Sequence, residues 1–215
     1  MPRFGRCLRG LIFSLVAAAA SAPGVALAGE FNPVLSIGDA APAWKDLPGT
    51  DGKPHSLDEL KSHDVVVLMF LANSCDVVAE YEDRLLALAK KHGGAKCAFV
   101  AVNVNKIPDD NLEAMKKRAA DKKYSFVYLF DETQQIAKHY GATWTPECFV
   151  IDKSRKIAYM GGVDDHSNAK LAKKSYLDDA LTAVLAGKKP AVPETGAIGC
   201  AIRYERERRK RPDAK

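Results

Sequence analysis

Residues 65–71 (Val-Val-Val-Leu-Met-Phe-Leu) form an unbroken apolar run, β-branched at its start. So short a run without alternation predicts a strand buried on both faces. Over residues 75–92 the period changes. Val78, Tyr81, Leu85 and Leu88 fall at spacings of three, four and three, one stripe of a helix that Gly93 and Gly94 end. A second apolar run, 97–104, predicts a second strand. After a polar loop with Pro108, residues 109–123 read as a helix with Leu112, Met115 and Ala119 inward and Glu113 placed to pair with Lys117. Residues 124–130 are a further short extended run. Asp131 is placed to cap a helix reaching about Tyr140, with Gly141 as its stop. Residues 148–152 and 157–160 read as strands of one hairpin turning at 153–155. A last helix is expected over 168–185, with Leu177, Leu181 and Val184 inward.

The flanks are less regular. Residues 29–62 carry turn clusters at 38–42 and 49–54, and Ser56 with Glu59 has the spacing of a capping box. From Lys188 onward the chain is a Pro- and Gly-bearing tail. The strand–helix–strand start demands a parallel crossover, and the hairpin near the end is antiparallel. The fold class expected is therefore α/β, a mixed central sheet flanked by helices.

Composition narrows the class. The 215 residues are 47% hydrophobic and 27% charged, ordinary globular values that exclude a disordered or polytopic membrane chain. Much of the +5 charge lies in residues 1–28. There Arg3, Arg6 and Arg9 precede an apolar run, and Ala26-Leu27-Ala28 is an A-x-A cleavage site before Gly29, the pattern of a secretory signal peptide. Cleavage after Ala28 leaves 187 residues with a formal charge of +2, no stable membrane span and no global argument for nucleic acid. The expected organisation is a signal peptide at 1–28, one domain at 29–187, and a tail at 188–215 with Cys200 and a basic end. The destination is the periplasm or the extracellular space, where disulfides persist.

Four cysteines remain: Cys75, Cys97, Cys148 and Cys200. Cys75 stands where the first strand meets the first helix. A helix N-terminus offers unpaired N–H groups and the positive end of the dipole, which favour thiolate over thiol, while Asp76 opposes it. A packing role for the same residue stands beside the reactive one. Cys97 and Cys148 fall in strands and read as core. No Cys pair or His pair has metal-ligand spacing, so no metal is expected. Thr145-Pro146 precedes the hairpin, as a turn proline or a cis bond. Asp164-Asp165-His166 reads as a polar turn, and residues 116–118 with 122–123 as a solvated helix face. The basic run through Arg206, Arg208, Arg209, Lys210 and Arg211 reads as a solvated terminus.

The strand–Cys–helix junction and the Thr-Pro before a hairpin resemble the thioredoxin fold. The openings Ile37-Gly38-Asp39-Ala40-Ala41-Pro42 and Asp51-Gly52-Lys53-Pro54 resemble the redoxin branch (alkyl hydroperoxide reductase and thiol-specific antioxidant proteins). Ala72-Asn73-Ser74-Cys75-Asp76, Tyr81-Glu82-Asp83-Arg84-Leu85, Asp131-Glu132-Thr133-Gln134, Thr145-Pro146-Glu147 and Gly199-Cys200-Ala201-Ile202-Arg203 resemble a bacterial thioredoxin-like group. Its members carry Cys-Asn-His-Cys-Pro and end in Gly-Cys-Ser-Ile-Lys. The likeness spans about residues 35–203.

The departures bear on chemistry. Ala72 replaces the first cysteine of C-x-x-C, so a local dithiol exchange is not available. A peroxiredoxin signature aligned on Cys75 puts Leu68 and Ala72 where its Pro and Thr/Ser belong. The first strand also lacks the acid thioredoxins carry there. The resemblance implies a thiol oxidoreductase, by disulfide exchange or peroxide reduction, with Cys75 as the reactive thiolate. Thr145, Pro146, Asn73 and Ser74 would then form the substrate groove. It needs no bound cofactor, but does need a thiol, disulfide or peroxide substrate and an external thiol reductant. Cys200, about a dozen residues past Gly187 at roughly 3.3 Å each, can reach back to Cys75 as a resolving partner, or simply pack the tail. The other expectation is a binding or chaperone-like module that kept the fold without the redox activity.

Overall fold

The computed structural model describes Met1 and residues 29–206. The signal-peptide reading and the basic run past Arg206 lie outside the described residues. A small hairpin of β1 (Leu47–Pro48) and β2 (Pro54–His55) opens the fold. Next come β3 (Val65–Phe70), α1 (Asp76–His92), β4 (Cys97–Asn103), α2 (Leu112–Asp121), β5 (Val127–Phe130) and α3 (Gln135–Tyr140). β6 (Trp144–Thr145), β7 (Glu147–Ile151), β8 (Ile157–Gly161), α4 (Tyr176–Leu185) and β9 (Cys200–Ala201) complete it. The main sheet has the order β5-β4-β3-β7-β8. β3, β4 and β5 are parallel; β7 and β8 are antiparallel to their neighbours. This is the mixed sheet expected, with β3 at its centre.

The apolar run of β3 serves both faces because alternate side chains point to opposite sides. Val65, Val67 and Met69 face one layer, with Tyr81 and Leu85 of α1, Met115 of α2, and Leu177 and Leu181 of α4. Val66, Leu68 and Phe70 face the other, with Ile136 and Tyr140 of α3, Trp44, and Ile202 from the tail. In that second layer Phe70, Tyr140 and Phe149 pack with centroids 5.2–6.0 Å apart.

Several local expectations are corrected. Ser56 forms no cap; its Oγ accepts from Asp46 N, and Glu59 turns to the His55 ring. The second helix begins at Leu112 rather than 109, capped by Asn111, because Pro108–Asp110 form a 3₁₀ turn that points Asp110 inward. Glu113 pairs with Lys116 and Lys117 with Asp121, not with one another. Arg118 is not on a solvated face: it reaches the buried Glu82 at 2.9 Å, beside Lys122 at 2.7 Å and Tyr124 Oη at 2.6 Å. Burial works against ionising Glu82, but these donors and cations hold its carboxyl below the usual range.

Asp131 sits four residues ahead of α3 and ties its first turn by accepting from Ile136 N. The last helix starts at Tyr176, not 168. Asp165 accepts from the N–H groups of Lys173 and Lys174 and draws that stretch into a loop, as side-chain acceptors that compete with helical bonds do. The polar turn at 164–166 is present, with Asp164 buried against Arg84.

The tail returns to the domain. Met160 N donates to Pro193 O, and Thr195 N donates to Met160 O. Glu194 accepts from the N–H groups of Glu30, Phe31 and Asn32. Among the described residues no helix is long and apolar enough to cross a membrane.

Candidate functional site

Cys75 is the N-cap of α1, in extended conformation, and Val78 N donates to its Sγ at 3.4 Å. Cys75 and Cys200 are joined by a disulfide across 125 residues of sequence, with Cα atoms 5.9 Å apart. Of the two readings left open for Cys200, the structure takes the pairing. Three pieces of chain bring it about. β3 delivers the α1 N-terminus to the C-terminal edge of the sheet. The loop after α3 carries β6 and the cis Thr145-Pro146 bond beside it. β9 pairs antiparallel with β6, placing Cys200 opposite Thr145 and Ala201 opposite Trp144. The Thr145 carbonyl lies 3.1 Å from Cys75 Sγ. Gly199 passes so close to this turn that a Cβ there would overlap the Thr145 carbonyl.

Burial separates the two cysteines. Cys75 is 2% exposed, whereas Cys200 is half-buried at the edge of the first core layer. Among the described residues the other two cysteines, Cys97 and Cys148, are core residues, as expected from the strands they occupy. Burial pushes the Cys97 thiol up to about 12. Burial, and then the neighbouring Glu147, raises that of Cys148 further. Both stay protonated at neutral pH.

Asn73 and Ser74 precede Cys75 and are bonded inward. The fully buried Asp110 accepts from Asn73 N at 2.6 Å, Ser74 N at 3.2 Å and Ser74 Oγ at 2.5 Å. Asn103 and Asn105 donate to the same carboxylate at 2.8 and 3.2 Å. Asn73 Nδ2 donates to Asp109 O, and its Oδ1 accepts from Tyr128 Oη. The loop is therefore clamped from below. Asn105 also reaches the tail: its Oδ1 accepts from Arg203 N at 2.9 Å. Gln134 donates to Arg203 O and accepts from Glu205 N.

Behind Pro146, Glu147 is buried and accepts from Thr143 N and Trp144 N at 2.8 and 2.9 Å. Burial raises its carboxyl pKa, and the two N–H groups oppose that rise. Reading the sequence singled out none of Asp110, Asn103, Asn105, Gln134 or Glu147 as site residues. For Asn103, Asn105 and Glu147 the signal was an amide or acid at the end of an apolar run, as in Asn103-Val104-Asn105, or directly after Pro146; Asp110 and Gln134 sit in polar stretches that carry no such mark.

Comparison with known proteins agrees with this architecture. No curated protein matches the chain. Among solved structures, an uncharacterized conserved protein from Geobacillus kaustophilus is 32% identical, with a TM-score of 0.76 over 82% of this chain and 96% of that one. A hypothetical protein from Sinorhizobium meliloti 1021 is 30% identical, with a TM-score of 0.75 over 81% of this chain and 97% of that one. A peroxidoxin from Mycobacterium tuberculosis, 21% identical with a TM-score of 0.55 over 73% of this chain and 98% of that one, shares the fold. The redoxin family model matches residues 36–181. The sheet order, the cysteine at the head of α1 and this match lead to one conclusion: the chain belongs to the redoxin family and has a thioredoxin-like fold.

Proposed function

We propose that this protein is an exported thiol oxidoreductase that works by disulfide exchange through the Cys75–Cys200 pair. The observation that carries the reading is that pair itself, a disulfide at the N-terminus of a helix, closed by a tail cysteine where Ala72 replaces the nearer one. Exchange needs two sulfurs within bonding reach and a way to stabilise the thiolate that leaves. The tail supplies the first, and the helix end with Val78 N–H supplies the second. Thr145, Pro146, Asn73 and Ser74 frame the pair, the first two as the wall where a substrate lies and the others as the loop that fixes Cys75. The sulfurs carry the electrons, so the chemistry calls for no bound cofactor. The partners are a thiol- or disulfide-bearing protein and an external thiol reductant. Residues 1–28 direct export and are removed after Ala28, which leaves a domain at 29–187 and the tail at 188–215 in an oxidising compartment.

One observation favours a second reading, a redox-inactive binding module: Cys75 is nearly inaccessible. Equilibrating the mature protein in glutathione buffers and following turnover of a reduced polypeptide substrate separates the two. A reversible Cys75–Cys200 equilibrium, with turnover lost in Cys75→Ser and Cys200→Ser, is expected. A pair that stays oxidised in excess dithiol, with binding unchanged by Cys75→Ser, would establish the module. Consumption of hydrogen peroxide with a thiol reductant would move the assignment to a peroxidase. Mass spectrometry of the secreted chain, expected to begin at Gly29, checks the export reading.

A further inference from the structure

Resting on the redox reading above, we infer a fixed division of labour that reverses the order the sequence suggests. Cys200 is the sulfur that exchanges with substrate, and Cys75 is the internal sulfur that leaves and returns. Thiol–disulfide exchange requires access to the sulfur attacked. Cys75 lies 2% exposed among Val78, Tyr81 and Cys148, while Cys200 is half-buried on the short β6–β9 ladder outside the main sheet.

The surroundings fit the two roles. A thiolate departing on Cys75 meets Val78 N–H and the positive end of α1. Once protonated, it has the Thr145 carbonyl as acceptor, 3.1 Å from Sγ. Cys200 does not depend on the disulfide to stay in place. Upstream, Thr195 is bonded to Met160. Downstream, Ile202 N donates to Thr143 O, Arg203 N to Asn105, Glu205 N to Gln134, and Tyr204 Oη to Ala142 O. The tail therefore holds Cys200 at the site when the bond opens, so the return step is intramolecular. Trp144, which pairs with Ala201 one position along from Cys200, and Phe31 are 41% and 53% exposed. Both line one cleft with Gly196 and Ala197 of the tail. Exposed aromatic surface one position along the ladder from Cys200 offers a polypeptide an apolar contact that a small polar thiol does not use.

The exchange is then as follows. A thiolate of a polypeptide dithiol attacks Cys200 Sγ. The Cys75–Cys200 bond breaks, and its electron pair leaves on Cys75 Sγ. The substrate's second thiolate attacks the substrate sulfur of the mixed disulfide and expels Cys200. The substrate departs as a disulfide, oxidised by two electrons. Cys75 and Cys200 hold those electrons and take up the two protons that the substrate thiols released. The pair re-forms when a disulfide of the glutathione class is attacked by Cys200, one thiol leaves, and the Cys75 thiolate displaces the second from Cys200, so that the two electrons pass to that disulfide.

The test is brief iodoacetamide labelling of the reduced, folded wild-type protein, mapped by peptide mass spectrometry and normalised to labelling in urea. Cys200 should label at least about tenfold faster than Cys75, as differential access demands. In parallel, Cys75→Ser and Cys200→Ser proteins are treated with glutathione disulfide. A rapid adduct on Cys200 in the first, and a slow one on Cys75 in the second until urea is added, is the expected pair of results. Equal or faster labelling of Cys75 in the folded wild type overturns the assignment while leaving the redox function intact. A pair that no excess of dithiothreitol reduces in the folded protein overturns the redox function and this assignment with it.

Discussion

Five donors converge on the Asp110 carboxylate, two of them backbone N–H groups from the loop before Cys75. Removing a buried acceptor leaves its donors unpaired, which costs more than the bond itself contributes. Asp110→Ala should lower unfolding stability by about 3 kcal/mol, read from urea denaturation, with Asp110→Asn in between. Glu147 gives a pH signature. Burial raises its folded pKa above the unfolded value despite two N–H donors, so the folded state binds the extra proton. Stability from this residue is present below the ordinary carboxylate range and declines as pH rises through it to the folded pKa. In Glu147→Gln that decline should vanish, seen as a flatter plot of stability against pH from the ordinary carboxylate range upward. The sequence could not suggest Asp110 as part of the site, because its worth depends on donors brought from elsewhere in the chain. Asp110 gathers them from residues 73, 74, 103 and 105.

At the scale of elements, the hydrophobic period was a sound guide wherever packing decides. α1 starts and stops where its stripe and glycines say, and β3 is buried along its whole length. It misled where side chains compete for backbone groups, as Asp165 does ahead of α4 and Asp131 ahead of α3. The tail element depends most on distant partners. Asn105 and Gln134 pin residues 203 and 205 just past Cys200. Asn105→Ala with Gln134→Ala should loosen that hold and lower the equilibrium constant for disulfide formation roughly tenfold, about 1.4 kcal/mol, measured in glutathione buffers. Trp144→Ala should slow exchange with a reduced polypeptide several-fold but leave exchange with glutathione unchanged, because only the former uses the exposed ring.

For the whole molecule, the Cys75–Cys200 bond closes a loop of 125 residues that runs from the start of α1 to β9. Such a cross-link restricts the unfolded chain by an entropy worth roughly 3–5 kcal/mol. Dithiothreitol should therefore lower the stability of the wild type by that amount. The double variant Cys75→Ser, Cys200→Ser should start near the reduced value and ignore the reductant. Thermal unfolding with and without dithiothreitol measures both.

The sequence by itself determined what is local. Apolar period set the kinds and order of the elements, and β-branched runs chose strands buried on both faces. The Cys75 position at a strand–helix junction marked the candidate sulfur. The Thr-Pro and Gly-Cys segments carried the family likeness. Tertiary structure decided what depends on contacts between residues far apart in the chain. It chose Cys200 as the partner, buried one sulfur and left the other at the edge, and assembled the Asp110 clamp and the Asn105–Gln134 anchor. The physical reason is that periodicity records which face of an element is buried. Access and polar satisfaction are set by whatever the rest of the chain lays against that face.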